Sequence, residues 1–473
     1  MSEAGLRNHH VSNTAYPLAH GTTWAPYRVP RARMSETLVR GWEGVRELGL
    51  YAHIPFCEVR CSFCEYTVVG RPESGEDRAA AYVDALLREI DLVGGLLGTA
   101  DRVAGGLDIG GGTPSFVDPG HIGRILDALR ARYAFGPGAD VSIETTPRIA
   151  AAEPGKMRAY RAMGIDRISM GIQVADPALL KVLHREGNGA EHHARAMGSL
   201  RAAGFDRVNV DLLYGLAGQT PEGWEATLAH AVDLGPEYVT LYRMRYKLTR
   251  ISRQAPSVAL DQVRVLHRIA GEVLRAAGYE ANPGKTTFSR IPGDVGTSSY
   301  LARRVTEGMP YLGFGLGAQG FSRTTISYND GAAGKNLGPY LGSVVAGRIP
   351  VQDLYDLPPC QAMAKMCSVS FYFGEIDHGA FERRFGVPFA EEFAPEIDFL
   401  LRKGWMEWSS RTFRLTKEGA PWTSGIIPLF WAPATQRYLL DRNPDDPGDM
   451  DRNRSAALRV AAGSDPLPEG IPG

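Results

Sequence analysis

"HIGRILDALRARY" (residues 121–133), "DVSIET" (140–145), "GKMRAYRAMG" (155–164) and "RISMGI" (167–172) follow one another with short connections. The first and third carry apolar residues at intervals of three and four, the period of a helix. The second and fourth are short runs rich in β-branched residues, the signature of strands. Helices that alternate with strands imply a parallel sheet, because a parallel pair needs a crossover connection. The alternation continues in both directions. Upstream stand "LYAHIPF" (50–56), a strand; "EDRAAAYVDALLREIDLVGGLL" (76–97), a helix with Ala81, Val83, Leu86, Leu87 and Ile90 near one face; and "GLDIGGG" (106–112), a strand ending in glycines. Downstream stand "EHHARAMGSLRAAG" (helix), "RVNVDLLYG" (strand), "WEATLAHAVDLG" (helix) and "YVTLYRM" (strand). About six β/α units predict an α/β fold, a partial or full (β/α) TIM-like barrel, in which chemistry gathers at the carboxyl ends of the strands.

The ends of the chain read differently. Residues 1–48 lack periodicity and include "WAPYRVPRARM", so an irregular arm over the domain surface is expected. Beyond residue 350 the pattern shifts to helices and short strands, and "APEIDFLLRKGWMEWSSRTFRLTKEG" reads as a helix with a two-stranded wing. The division expected is therefore an arm (1–48), a barrel with its extension (49–350), a small carboxy-terminal helical, winged-helix-like domain (351–440) and a disordered tail (441–473), rich in Pro, Gly, Asp and Arg. The wing carries little positive charge, which favours packing on the barrel over DNA binding.

The 473 residues bear a net charge of -1 and are 44% hydrophobic, which indicates neither a polyanion-binding surface nor a disordered composition. The first 21 residues have no apolar run of signal-peptide type, and no stretch approaches the ~20 apolar residues of a membrane span. The chain reads as cytoplasmic, with partners among small molecules rather than nucleic acid or membrane. Five cysteines argue against a disulfide framework.

Three of those five lie in "CEVRCSFC", residues 57–64, directly after the first strand. Zinc in a structural site takes four protein ligands, and no fourth Cys or His has the usual spacing. His53 lies four residues before Cys57, inside the strand, and is not expected to be a ligand. An iron–sulfur cluster suits the count better, because a [4Fe-4S] cube held by Cys57, Cys61 and Cys64 keeps one iron open.

C-x3-C-x2-C with an aromatic, Phe63, before the third cysteine resembles the signature of radical S-adenosylmethionine (SAM) enzymes. "YAHIPF", "GGGTP" (110–114), "IETTP" (143–147), "RISMGIQ" (167–173), "HRE" (184–186), "VDLLYGLAGQT" (210–220) and "YLGFGLGAQG" (311–320) extend the resemblance to the HemN-like branch over most of residues 48–430. The resemblance implies a [4Fe-4S] cluster, SAM in one or two molecules, an electron donor such as flavodoxin or ferredoxin, and hydrogen abstraction from a substrate by a 5′-deoxyadenosyl radical. It places Tyr51 and Glu144 against the cluster-bound SAM. Phe63, Gly112, Thr113, Gln173, Arg185 and Asp211 match positions that hold a second SAM. The residues suit these roles. Gly111, Gly112 and Thr113 can bring backbone N–H donors close to the amino-acid end of SAM; Glu144 can pair with an ammonium or ribose hydroxyls; the Arg185 fork can take a carboxylate. Cys360 and Cys367, seven apart on one predicted helix, are expected to be buried as small hydrophobes.

Three reactions remain open. Coproporphyrinogen oxidative decarboxylases of the family carry a further cysteine two residues after the third, where this chain has Tyr66. HemW-like haem chaperones begin close to the first strand and tend to have histidine where this chain has Gln319. The retained second-SAM positions, Tyr66 and the long arm favour a chain similar in type to the class C radical SAM methyltransferases and cyclopropanases, acting on a specialised metabolite.

Overall fold

The computed structural model describes residues 1–70, 75–247 and 249–443. Among them are fifteen strands: β1 (Glu47–Ile54), β2 (Val103–Gly111), β3 (Ala134–Phe135), β4 (Val141–Thr145), β5 (Arg167–Gln173), β6 (Val208–Tyr214), β7 (Tyr238–Arg243), β8 (Thr287–Ser289), β9 (Tyr311–Phe314), β10 (Gln319–Phe321), β11 (Thr325–Asn329), β12 (Val351–Asp356), β13 (Glu375–Asp377), β14 (Met406–Trp408) and β15 (Thr412–Leu415). Strands β1, β2, β4, β5, β6 and β7 pair in parallel in that order. This is the set of six expected from the β/α alternation. β9 adds to β1 in parallel, β8 closes against β7 in antiparallel, and β10 to β12 continue the sheet in antiparallel. The order β12-β11-β10-β9-β1-β2-β4-β5-β6-β7-β8 has two ends, so among the described residues the barrel is partial rather than closed.

The period of two along each strand explains how this sheet carries a site. Leu50, Ala52 and Ile54 of β1, Ile143 of β4, Ile168, Met170 and Ile172 of β5, and Val210 and Leu212 of β6 are buried in the hydrophobic core, which also holds Leu86, Ile90, Leu129, Leu200 and Leu228 of the crossover helices. The alternate residues, Asp108, Ser142, Glu144, Ser169, Asn209, Asp211 and Thr240, line the hollow interior. Burying the apolar set contributes roughly 25 cal/mol per Å² removed from water, which leaves the inner face free to be polar.

The amino-terminal arm is not irregular throughout. It forms helices at Ser2–Arg7 and Met34–Trp42, and Tyr16, Trp24 and Trp42 are buried. Tyr16 Oη and Trp24 Nε1 both donate to Gln361 Oε1, the latter at 2.8 Å, and Ser12 Oγ donates to Ser424 O. The arm thus docks through isolated aromatic and polar anchors, which leave no periodic trace in the sequence. In the carboxy-terminal region the expected two-stranded wing has a third strand, in the order β13-β15-β14. Helix Pro359–Ser370 buries Cys367 but leaves Cys360 exposed, which corrects the expectation that both thiols lie in the core. Cys360 is the second residue of the helix, at an end that extends past the core packing. The expected disordered tail lies outside the described residues from 444 onward.

Candidate active site at the strand ends

The cysteine loop leaves β1 and is held from several sides. Cys57 N–H donates to Val69 O at 3.0 Å, Ser62 N–H to Leu183 O at 3.1 Å, Arg250 N–H to Ser62 O at 3.0 Å, and Lys335 Nζ to Glu65 O at 2.9 Å. Ion pairs Glu58–Arg148 and Glu65–Arg245 fix its two flanks. Cys57, Cys61 and Cys64 line one cavity of 420 Å³ together with Phe63, Gly111, Gly112, Thr113, Glu144, Gln173, Arg185 and Asp211. Eleven of the twelve residues singled out in the sequence therefore face one space. Tyr51, the twelfth, lies just behind it: a Cβ on Gly110 would stand 2.9 Å from Glu144 Oε1 and 3.2 Å from Tyr51 Cε2.

Three thiols without a fourth protein ligand fit a cluster that keeps one iron open. Among the described residues no group of three or more His, Cys, Asp or Glu is placed to hold a single metal ion. Thr113 Oγ1 and Arg185 Nη1 each lie 3.6 Å from a sulfur, of Cys57 and Cys61 respectively, where they can donate to thiolate or sulfide. Burial pushes the Cys57 thiol up to about 12 and the Cys64 thiol up to about 11, so loading the site displaces protons. His53 is excluded as a ligand by its own bonds. Its Nε2 donates to Thr67 O at 2.7 Å, its Nδ1 accepts from Tyr51 Oη at 3.2 Å, and burial lowers it to about 4.

The glycine run works differently from the sequence expectation. The N–H groups of Gly112 and Thr113 donate to Ile54 O and Phe56 O, each at 2.8 Å, and that of Gly111 to Glu144 Oε2 at 3.2 Å. These three donors are engaged within the protein, so they are not offered to a ligand. What the glycines permit is close approach of β1: a Cβ on Gly111, where φ is +118°, would fall 2.4 Å from His53 Nδ1, and one on Gly112 would fall 2.7 Å from the Pro55 carbonyl.

Arg185 is also more occupied than a free fork. Nη2 donates to Gly171 O and Nη1 faces Cys61, while buried Nε has no partner. Its side chain ties the cysteine loop to β5. Gln173 beside it takes φ of 71°, a left-handed conformation at a register shift between Gly171 and Gln173; strain of this kind clusters at functional sites. Asp211 is held by Ser169 Oγ at 2.9 Å and Asn209 Nδ2 at 2.7 Å. Burial raises it, and burial together with the Asp211 charge raises Glu144 to about 8. Glu144 therefore takes up its proton at higher pH than an ordinary carboxyl. Tyr66, Tyr242, Met244 and Arg245 complete the rim. The sequence singles out Tyr66 only as a departure and gives the other three no role, although "YRMR" (242–245) lies at the carboxyl end of the last strand expected in the alternation.

The Radical SAM superfamily model matches residues 51–231, and the HemN C-terminal domain model matches residues 373–422. Oxygen-independent coproporphyrinogen III oxidase of Salmonella typhimurium is 29% identical over 420 residues, covering 84% of this chain and 88% of its own. Anaerobilin synthase of Escherichia coli O157:H7 is 27% identical over 441 residues, covering 89% and 94%. The solved structure of coproporphyrinogen III oxidase (HemN) from Escherichia coli superposes with a TM-score of 0.69 at 25% identity, over 85% of this chain and 93% of that one. Among the described residues no helix is long and apolar enough to cross a membrane. The radical SAM match thus covers the cysteine loop and strands β2 to β6, and the HemN C-terminal match covers strands β13 to β15.

Proposed function

We propose that this chain is a radical SAM enzyme of the coproporphyrinogen-oxidase type, acting on a tetrapyrrole-like small molecule with electrons from a flavodoxin- or ferredoxin-like donor. The observation that carries this reading is the single cavity shared by three cysteines and the polar strand ends, in a chain similar to the oxidase through both domains. Cys57, Cys61 and Cys64 would hold the [4Fe-4S] cluster. When bound, the cluster and SAM supply one-electron cleavage of the sulfonium and hydrogen-atom abstraction. Glu144 accepts from Gly111 N–H at Oε2, which leaves Oε1 to meet a ribose hydroxyl or accept from an ammonium group. Arg185 places a guanidinium beside Cys61 and offsets thiolate charge there. Phe63, Tyr66 and Tyr242 on the rim limit entry of water.

A second reading, transfer of a methyl or methylene group from a second SAM, is favoured by one residue: Tyr66 stands where the decarboxylases carry a cysteine. The experiment is anaerobic reconstitution with iron and sulfide, followed by SAM, dithionite and coproporphyrinogen III. Release of 5′-deoxyadenosine with carbon dioxide and a vinyl product supports decarboxylation. S-adenosylhomocysteine formed in step with 5′-deoxyadenosine supports group transfer. Tight haem binding without any SAM cleavage rejects both.

A further inference from the structure

A second cavity of 140 Å³ opens beside the first, and Tyr242, Arg243, Met244 and Arg245 line both. Its wall is assembled from the arm, the end of β7, the helix Leu260–Ala276 and the carboxy-terminal domain, and it includes His9, His10, Arg243, Arg245, Arg264 and His267. Among the described residues, no Asp or Glu lines it. Three arginines therefore meet in an enclosed space with little compensation from within.

Two of the three have acidic partners outside the wall: Arg245 pairs with Glu65, and Arg264 Nη1 with Asp261 at 2.8 Å. Arg243 has neutral acceptors. Its Nη1 donates to Ser424 Oγ at 2.8 Å and its Nη2 to His9 Nδ1. Burial, with neighbouring His10 and arginines adding, pushes His9 down to about 2, so that ring is a neutral acceptor. Burial lowers His10 and His267 to about 4 each, so neither adds charge at neutral pH. Arg264 stacks 4.2 Å from the centre of the Trp422 ring, and its Nη2 is buried without a hydrogen-bond partner. A partly buried guanidinium with no acidic partner among the described residues, beside a second with an unused donor, carries a desolvation cost that an anion would offset. A planar fork matches a carboxylate. The volume suits a short carboxylate-bearing arm of a ligand rather than a whole macrocycle.

We propose that this second cavity is a carboxylate subsite: it takes an acidic side arm of the substrate, remote from the carbon attacked, with Arg243 as anchor and Arg264 as second donor. The assignment rests on the reading of the neighbouring cavity as the reaction site. Four residues shared by the two linings put a substrate within reach of both, and the arm's His9 sets the orientation of Arg243.

The test uses the full-length reconstituted protein and coproporphyrin III as an air-stable tetracarboxylic probe, compared with its tetramethyl ester by fluorescence quenching. Wild type is expected to bind the acid at least tenfold more tightly than the ester. Arg243→Met should remove most of that preference, Arg264→Met part of it, and Arg243→Lys should retain a share of it; circular dichroism checks that each variant is folded. Equal affinity for acid and ester in wild type, no binding of either form, or a preference that survives in both Met variants overturns the subsite. Release of 5′-deoxyadenosine by the same wild-type sample reports on the reaction site separately. A protein that cleaves SAM without acid preference loses only the subsite, and one with acid preference that never cleaves SAM loses only the reaction site.

Discussion

The two adjoining cavities are built in opposite ways. The strand-end cavity draws its polar residues from the inner faces of consecutive parallel strands, so each arrives at a predictable place along the chain, and its inward carboxyl groups, Glu144 and Asp211, are both raised. The second cavity draws on residues 9, 243, 264 and 424, which only tertiary packing brings together, and it is lined by cations. A repeated strand-and-helix frame can support cofactor chemistry shared by many proteins, whereas a wall made from an arm and an appended domain can vary without disturbing it.

The sharpest way to separate the two is Cys61→Ala. Loss of one of three cluster ligands should lower 5′-deoxyadenosine formation by more than about 10³-fold, while the preference for coproporphyrin acid over ester persists. Retained SAM cleavage would break the assignment of the strand-end cavity. The reverse experiment loosens the arm. Gln361→Leu leaves the hydroxyl of Tyr16 and the indole N–H of Trp24 without their shared acceptor, at about 1–3 kcal/mol for each buried donor. Substrate binding should weaken by tenfold or more, with SAM cleavage in the absence of substrate changed less than about threefold.

Glu89→Gln tests the attachment of helix Glu76–Leu97 to the segment that follows β9. Tyr340 Oη at 2.6 Å, Gly315 N–H at 2.8 Å and Asn329 Nδ2 at 2.6 Å all donate to this carboxyl, pinning the 311–320 segment to helix Glu76–Leu97. Burial nonetheless pushes it from 4.5 up to about 7. The folded protein keeps a proton that the unfolded chain has released, so stability falls as pH rises from 4.5 towards 7 and levels off above that. Urea unfolding at pH 5, 6 and 7 should show this slope in wild type. In the variant it should be flatter, with stability lower by about 1–3 kcal/mol, because an amide NH₂ now faces other donors. The smallest effect belongs to Cys360→Ser, expected within about 0.5 kcal/mol of wild type, against about 1–3 kcal/mol for Cys367→Ser in the same helix. Equal costs would show that Cys360 is packed as Cys367 is.

What could be read in advance follows from how local each feature is. Six parallel strands, the cysteine loop after the first of them and the polar residues at the strand ends are set by periodicity and spacing over ten to twenty residues. The use of each group was less legible. Gly111, Gly112 and Thr113 do come to the cavity, but their N–H groups are taken by Glu144, Ile54 and Phe56, partners that lie 33 or more residues away along the chain. Arg185 arrives with its fork already spent on Gly171 and Cys61. Docking of the arm rests on Tyr16 and Trp24 meeting Gln361, single residues with no period to betray them.

The arm's anchorage also dictates an order of assembly. Asn8, Ser12 and Tyr16 find their partners at Arg442, Ser424, Gln361 and Thr435. A chain made from its amino end must therefore complete almost all of its length before its first residues can settle. Until then the six-stranded frame can form while the second cavity still lacks the wall that His9, His10 and Ser12 supply, so the subsite is completed only after nearly the whole chain has been made.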